Sequence, residues 1–287
     1  MCVTALAWRA HPRWSLVAIG NRDEYHQRLA APLAQWDDGS GIIAGRDLQS
    51  GGTWLGVTPT RFVLVTNLRG YGLPDPDRAS RGGLVIDLLA GQSPLPQAGG
   101  GVQRHVTLNT GGSVVSGLAL GETRPPLTPP ASGRGMPLSA YNPFNLLLGT
   151  GDKLTYLTNR PAPTCTTLPH GTYGLSNGSL DEPWPKTLHL KAALTDWLAA
   201  GTADPAPLLA ALACQTLPDI GLHPREPSDV AIEPAETPPF IRSAVYGTRC
   251  STLVLVDSGG AGRIIERRFD ADGAVTGETT LEFVWRE

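Results

Sequence analysis

Short apolar runs separated by turn residues recur along most of this chain, and that punctuation restricts it to a sheet-based fold. Val3–Arg9 and Leu16–Gly20 flank Ala10-His11-Pro12-Arg13, a short hairpin connection. Gly41–Gly45, Thr53–Val57 and Arg61–Asn67 continue the pattern, and Thr58-Pro59-Thr60 turns the last two into a second hairpin. The first 70 residues therefore predict a β meander. Asn145–Leu148, Leu154–Thr158 and Gly171–Leu175 resume it, and Ser251–Val256, Gly262–Phe269 and Thr279–Trp285 close it. Three segments have helical character. Ser80 is a plausible N-cap for a helix through Leu89 that Gly91 ends. Lys186–Ala200 places Leu188, Ala192, Trp197 and Leu198 at helical spacing, and Pro207–Cys214 predicts a further helix. Strand sets interleaved with helices predict stacked sheets covered by helices, an α+β layered domain. Residues 1–287 read as one domain, with Pro/Gly-rich loops near 121–138 and 217–239.

Composition narrows the class of function. Hydrophobic residues make up 41% and charged residues 17% of the 287, as in globular proteins. A net charge of −3 with no basic segment gives no electrostatic case for nucleic acid. The four cysteines, at 2, 165, 214 and 250, lack Cys-x-x-Cys or Cys/His spacing, so no metal site is expected and reduced thiols are. Arg9, His11 and Arg13 interrupt the first apolar stretch and make it a poor signal peptide. No run reaches the length of a membrane span. A cytoplasmic protein is the expectation.

Cys2 is the residue with the most chemical potential. Because cysteine is small, Met1 is expected to be trimmed, which leaves a thiol and a free α-amine on one residue. That amine, with an ordinary pKa of about 7.7–8.0, can take the thiol proton without a histidine. The bland alternative is a small buried residue near a terminus. Polar residues also gather where strands end. Asn21-Arg22-Asp23-Glu24 either lines a site or makes a solvated turn. Gly45-Arg46-Asp47 precedes Gly51-Gly52, a tight turn or a close backbone approach rather than a phosphate loop. Asn67 ends a strand, Arg81 begins a helix, and Asn177 either aims an amide at an oxyanion or makes an Asx turn. Arg249 either holds an anion or balances Asp23 or Glu24.

Taken in order, these segments resemble the NRDE family, also called the transport and Golgi organisation protein 2 family. The resemblance rests on Met1-Cys2, Asn21-Arg22-Asp23-Glu24, Gly45-Arg46-Asp47, Gly51-Gly52-Thr53-Trp54-Leu55-Gly56 and Thr66-Asn67. It continues through Ser80-Arg81-Gly82, Phe144-Asn145-Leu146, Gly174-Leu175-Ser176-Asn177, Pro183-Trp184-Pro185-Lys186 and Gly247-Thr248-Arg249, so it spans residues 1 to about 269. The family looks like a branch of the N-terminal nucleophile hydrolases, which implies a four-layer αββα sandwich. By similarity to cysteine-type choloylglycine and penicillin acylases, Cys2 would be the nucleophile and Arg22 and Asp23 its orienting pair. Asn177 would be an oxyanion donor and Arg249 a second charge, with Asn21, Glu24, Arg46, Asn67 and Arg81 binding substrate. The acylases carry Arg-Asn-x-Asp where this chain has Asn-Arg-Asp-Glu, so the register of these roles stays open by one position.

Two functions follow. One is hydrolysis of an amide-type C–N acyl bond in a small molecule by Cys2, without a cofactor. The other is a carrier or trafficking role, since animal members are linked to secretory organisation, haem mobilisation and acyl-coenzyme A binding. In that case Arg22, Arg46, Arg81 and Arg249 would meet the phosphates or propionates of an amphipathic ligand. The chain adds little for haem, because it lacks Cys-x-x-Cys-His and none of its six histidines stands out as an axial ligand.

Overall fold

The computed structural model describes residues 2–92, 136–217, 219–221 and 236–286. Met1, whose removal is expected, lies outside these residues, as do most of the 121–138 loop and much of the 217–239 loop.

Two antiparallel sheets carry the fold. The first has the order β10 (Gly171–Leu175), β1 (Cys2–His11), β2 (Trp14–Tyr25), β11 (Tyr246–Asp257), β12 (Ala261–Phe269), β13 (Val275–Val284). The second runs β3 (Ala30–Gln35), β4 (Ile43–Asp47), β5 (Leu55–Thr58), β6 (Arg61–Asn67), β7 (Phe144–Thr150), β8 (Lys153–Thr158), β9 (Thr164–Leu168). Side-chain alternation along β1 and β2 explains the stacking. Leu6, Trp8, Leu16 and Ala18 point between the sheets, where they meet Phe62, Leu64 and Leu147. Val3, Ala5, Ala7, Val17 and Ile19 point outward under α2 (Pro185–Ala199) and α3 (Ala206–Leu212). Because both faces are buried, the two strands read as continuous apolar runs. α1 (Arg81–Leu89) covers Val63, Val65 and Leu146 on the outer face of the second sheet. As the sequence predicts, Ser80 caps α1, its hydroxyl accepting from the Gly83 N–H at 3.4 Å.

The expected α+β four-layer αββα sandwich is not what this chain forms. Strands hold 44% of the described residues and helices 15%, so the molecule is mostly antiparallel sheet. The physical reason is the shortage of helix among the described residues. A fifteen-residue and a seven-residue helix lie on one sheet and a nine-residue helix on the other, too little to make a layer on either side. Two strands escape sequence reading, β3 and β9, and both are edges of the second sheet. Pro32 interrupts β3, which an edge tolerates. β9 is largely exposed, so it carries no apolar alternation.

Antiparallel pairing brings one end of the sandwich together from distant sequence. The start of β1 lies opposite the end of β2 and beside the end of β10, and β11 begins there too. The ends of β4 and β6 face them from the second sheet, joined through contacts made by Arg22 and Asn177.

Candidate functional site

Cys2 stands opposite Arg22, and on the other side of β2 Arg22 stands opposite Cys250. The three side chains share the face that looks between the sheets. Cys2 and Cys250 are separated by two strand spacings of about 4.8 Å each, too far for a disulfide. Cys2 is partly exposed as a residue, but its thiol is buried. Burial pushes that thiol up and the Asp23 carboxylate adds to the rise, while the Asp23 backbone N–H and then Arg22 pull it down. The result is a protonated thiol that needs a base.

Asn177 fixes the start of the chain. It is 1% exposed, and its Oδ1 accepts from the Cys2 backbone N–H at 3.3 Å. One amide hydrogen of its Nδ2 donates to the Asn67 carbonyl at 2.7 Å, which leaves the second for another acceptor. The neighbouring Ser176 hydroxyl donates to the Cys2 carbonyl at 2.7 Å. Asn145 secures this loop from β7 by donating to the Gly178 carbonyl at 2.7 Å.

Arg22 is buried between Asp47, at 3.3 Å, and the face of Trp54, with its guanidinium carbon 4.4 Å from the ring centre. A desolvated contact of this kind contributes up to about 2 kcal/mol. Arg28 also reaches Asp47, at 2.6 Å, so one carboxylate joins two arginines. Gly45 permits the packing: a Cβ there would lie 2.6 Å from the Trp54 ring. Beneath the thiol, Cys2, Arg22, Trp54 and Thr66 contribute to the lining of a cavity of about 20 Å³. This is room for about one water molecule. Arg22 Nη1 and Thr66 Oγ1 are buried without a protein partner.

Asp23 faces the helices. Its Oδ1 accepts from the Thr248 hydroxyl at 2.6 Å, and its carbonyl from the Tyr246 hydroxyl at 2.8 Å. Burial raises its carboxyl; Lys186, the Thr248 bond and Arg22 oppose the rise. Lys186 is 0% exposed, donates to the Thr237 hydroxyl at 2.9 Å and lies 6.0 Å from the Trp184 ring centre. A lysine in the first turn of a helix works against the helix dipole, and that is the signal that could have singled it out. Asp47 and Trp54 also join the site, and in the sequence only their place in the Gly45-Arg46-Asp47 and Gly51–Gly56 motifs points to them.

The other expected site residues divide. Arg249 sits at a bulge in β11 opposite β2, and its Nη1 donates to the carbonyls of Tyr25, His26 and Arg28 at 3.0, 3.0 and 3.2 Å. It holds the loop after β2. Asn21 donates to the Leu212 and Pro239 carbonyls and accepts from Ser251, which makes it a pin between β2 and the helices. Glu24 lies at the rim, with Arg28 at 3.9 Å. Arg46 is exposed and lies over Trp36 at 4.5 Å, on the face opposite Asp47 and away from Cys2. Arg81 enters the cleft from α1, which Gly52 and Gly82 let approach: a Cβ on Gly52 would lie 2.5 Å from Gly82 backbone. No described helix is long and apolar enough to cross a membrane.

Fold and site define a mostly-β two-sheet protein whose strand ends gather a thiol at the chain start, buried arginine–aspartate pairs and an anchoring asparagine. The chain belongs to the family described as Transport and Golgi organisation 2, which matches residues 1–271. It is 29% identical to the mouse Transport and Golgi organization 2 homolog over 99% of each chain. It is 28% identical to the human homolog, again over 99% of each, and 27% identical to the bovine one over 98% of this chain and 97% of that.

Proposed function

We propose that the protein is an N-terminal cysteine hydrolase that cleaves an amide-type C–N acyl bond of a small molecule. The observation that carries this reading is the Cys2 backbone nitrogen 3.3 Å from Asn177 Oδ1, with Arg22 opposite the same residue. Once Met1 is removed, that nitrogen is an amine held by Asn177 beside a thiol that needs a base. The amine takes the thiol proton, and the thiolate attacks the acyl carbon. The remaining Asn177 amide hydrogen meets the oxyanion, a donor worth about 3 kcal/mol in a dry site. Collapse breaks the C–N bond as the ammonium returns its proton to the leaving nitrogen. Water, deprotonated by the same amine, then cleaves the thioester, releasing the acid and restoring Cys2. Cys2→Ala should abolish turnover of an amide found by screening; unchanged turnover would overturn the proposal.

A second reading, binding or trafficking of an amphipathic ligand such as haem or an acyl-coenzyme A, is favoured by the rim. Leu29, Leu48, Tyr71, Leu73 and Val245 are exposed hydrophobics on the loops that follow β2, β4 and β6 or precede β11, and the exposed Tyr25 ends β2. They lie at the strand ends that also carry Arg28, Arg69 and Arg249, so one end of the sandwich offers apolar and cationic surface together. Ligand retained through purification, with affinity kept in Cys2→Ala and lost in Arg22→Ala, would support this reading. Turnover of that ligand would tell against it.

A further inference from the structure

We infer that Arg69 and Arg81 form a receptor for an oxyanion, a carboxylate or a phosphate, beside Cys2. This deepens the hydrolase reading by giving the substrate an anionic group near its scissile bond.

Most arginines at this end are already engaged. Arg22 is held by Asp47 and Trp54, Arg28 by Asp47 and Glu24, and Arg249 by three carbonyls. Arg69 and Arg81 differ. Neither forms an ion pair among the described residues. The Arg81 Nη1 donates to the Pro143 carbonyl at 3.1 Å, and that same oxygen accepts the Leu68 N–H at 3.1 Å. The shared acceptor sets the Arg81 guanidinium against the backbone that carries Arg69. Arg69 donates its own N–H to the Asn177 carbonyl at 2.9 Å, while its Nε is buried without a partner. The anion site is therefore one residue removed from the group that holds the Cys2 nitrogen.

Arg69 also bears on the charge of Arg81. Burial first, and Arg69 next, bring Arg81 down to about 10. Glu24 and Cys2 act in the opposite sense, but Glu24 already faces Arg28. Two partly buried cations with no ion-pair partner among the described residues are costly, and one oxyanion accepting from both guanidinium groups removes that cost. Arg81 is also the first residue of α1, so the positive end of a nine-residue helix points the same way.

The test measures thermal unfolding of the full chain in inorganic phosphate, in acetate and in chloride at equal ionic strength. Phosphate, acetate or both should raise the midpoint above chloride, and whichever does names the group. Arg69→Gln should remove that rise and, without an added anion, unfold no lower than wild type, because a like charge is gone. Arg267→Gln, far away in a surface pair with Glu278, should keep the rise. Arg81→Gln should behave as Arg69→Gln does; if it fails to fold, Arg69→Gln decides. No rise in wild type, or an undiminished rise in Arg69→Gln, overturns the inference. Cys2→Ala should keep the rise, so turnover that survives in Cys2→Ala would sink the hydrolase reading and leave the anion site standing.

Discussion

The two ends of the space between the sheets are built from the same strands and could hardly differ more. At one end β1, β2 and β6 contribute Leu6, Trp8, Leu16, Phe62 and Leu64, a hydrocarbon interior. A few residues further along, the same strands contribute Cys2, Arg22 and Thr66. Fully burying an apolar side chain contributes about 1.5–3 kcal/mol, whereas a buried charge costs several unless it is paired. The apolar end therefore supplies stability, and the polar end is kept at some expense to it.

Substitutions can break or sharpen that contrast. Phe62→Ala at the apolar end should cost about 3–5 kcal/mol in urea unfolding with an unchanged slope. Asn21→Ala should cost about 2 kcal/mol, because it strands the carbonyls of Leu212 and Pro239 and the hydroxyl of Ser251. Arg22→Met should change stability by no more than about 1 kcal/mol, since Asp47 keeps Arg28 at 2.6 Å and the methionine covers Trp54. A loss as large as that of Phe62→Ala would mean that the arginine is structural, and the contrast would fail.

Glu266 gives a pH signature. It is buried, accepts from the Leu33 N–H at 2.8 Å and ties β12 to β3 across the two sheets. Burial raises its carboxyl above the ordinary 4.5, against the bonds from Leu33 and Arg268. A group whose folded pKa is raised holds its proton longer in the native state. Its contribution is therefore full below the unfolded value and declines as pH rises through the folded one. Glu266→Gln should flatten the fall in urea midpoint as pH rises above the ordinary glutamate range. The smallest effect is expected at Arg46, where Ala should change stability by less than about 0.5 kcal/mol and leave anion binding alone.

The sequence is most readable where burial is two-sided or punctuation is strong. β1 and β2 are continuous apolar runs, and α1 has both its Ser80 cap and Gly91. β3 and β9 could not be read because edge strands need no alternation. The order of motifs brought out Cys2, Arg22 and Asn177, which do converge. It could not separate Asn21 from Arg22, because adjacent strand residues face opposite sides of the sheet. Nor could it foresee that a bulge turns Arg249 toward backbone carbonyls, or that Arg81 shares the Pro143 carbonyl with the backbone just before Arg69. Those depend on register between segments far apart in the chain. The layered αββα expectation came from the resemblance and overstated three short helices.

The central claim is that Cys2 is a nucleophile at the processed start of the chain. Peptide mass spectrometry after brief exposure to p-nitrophenyl acetate tests it, with the exposed Cys165 as an internal control. The account predicts a mature chain that starts at Cys2 and carries the acetyl group there ahead of Cys165. A mature chain that keeps Met1, or acetyl on Cys165 with Cys2 untouched, would contradict it.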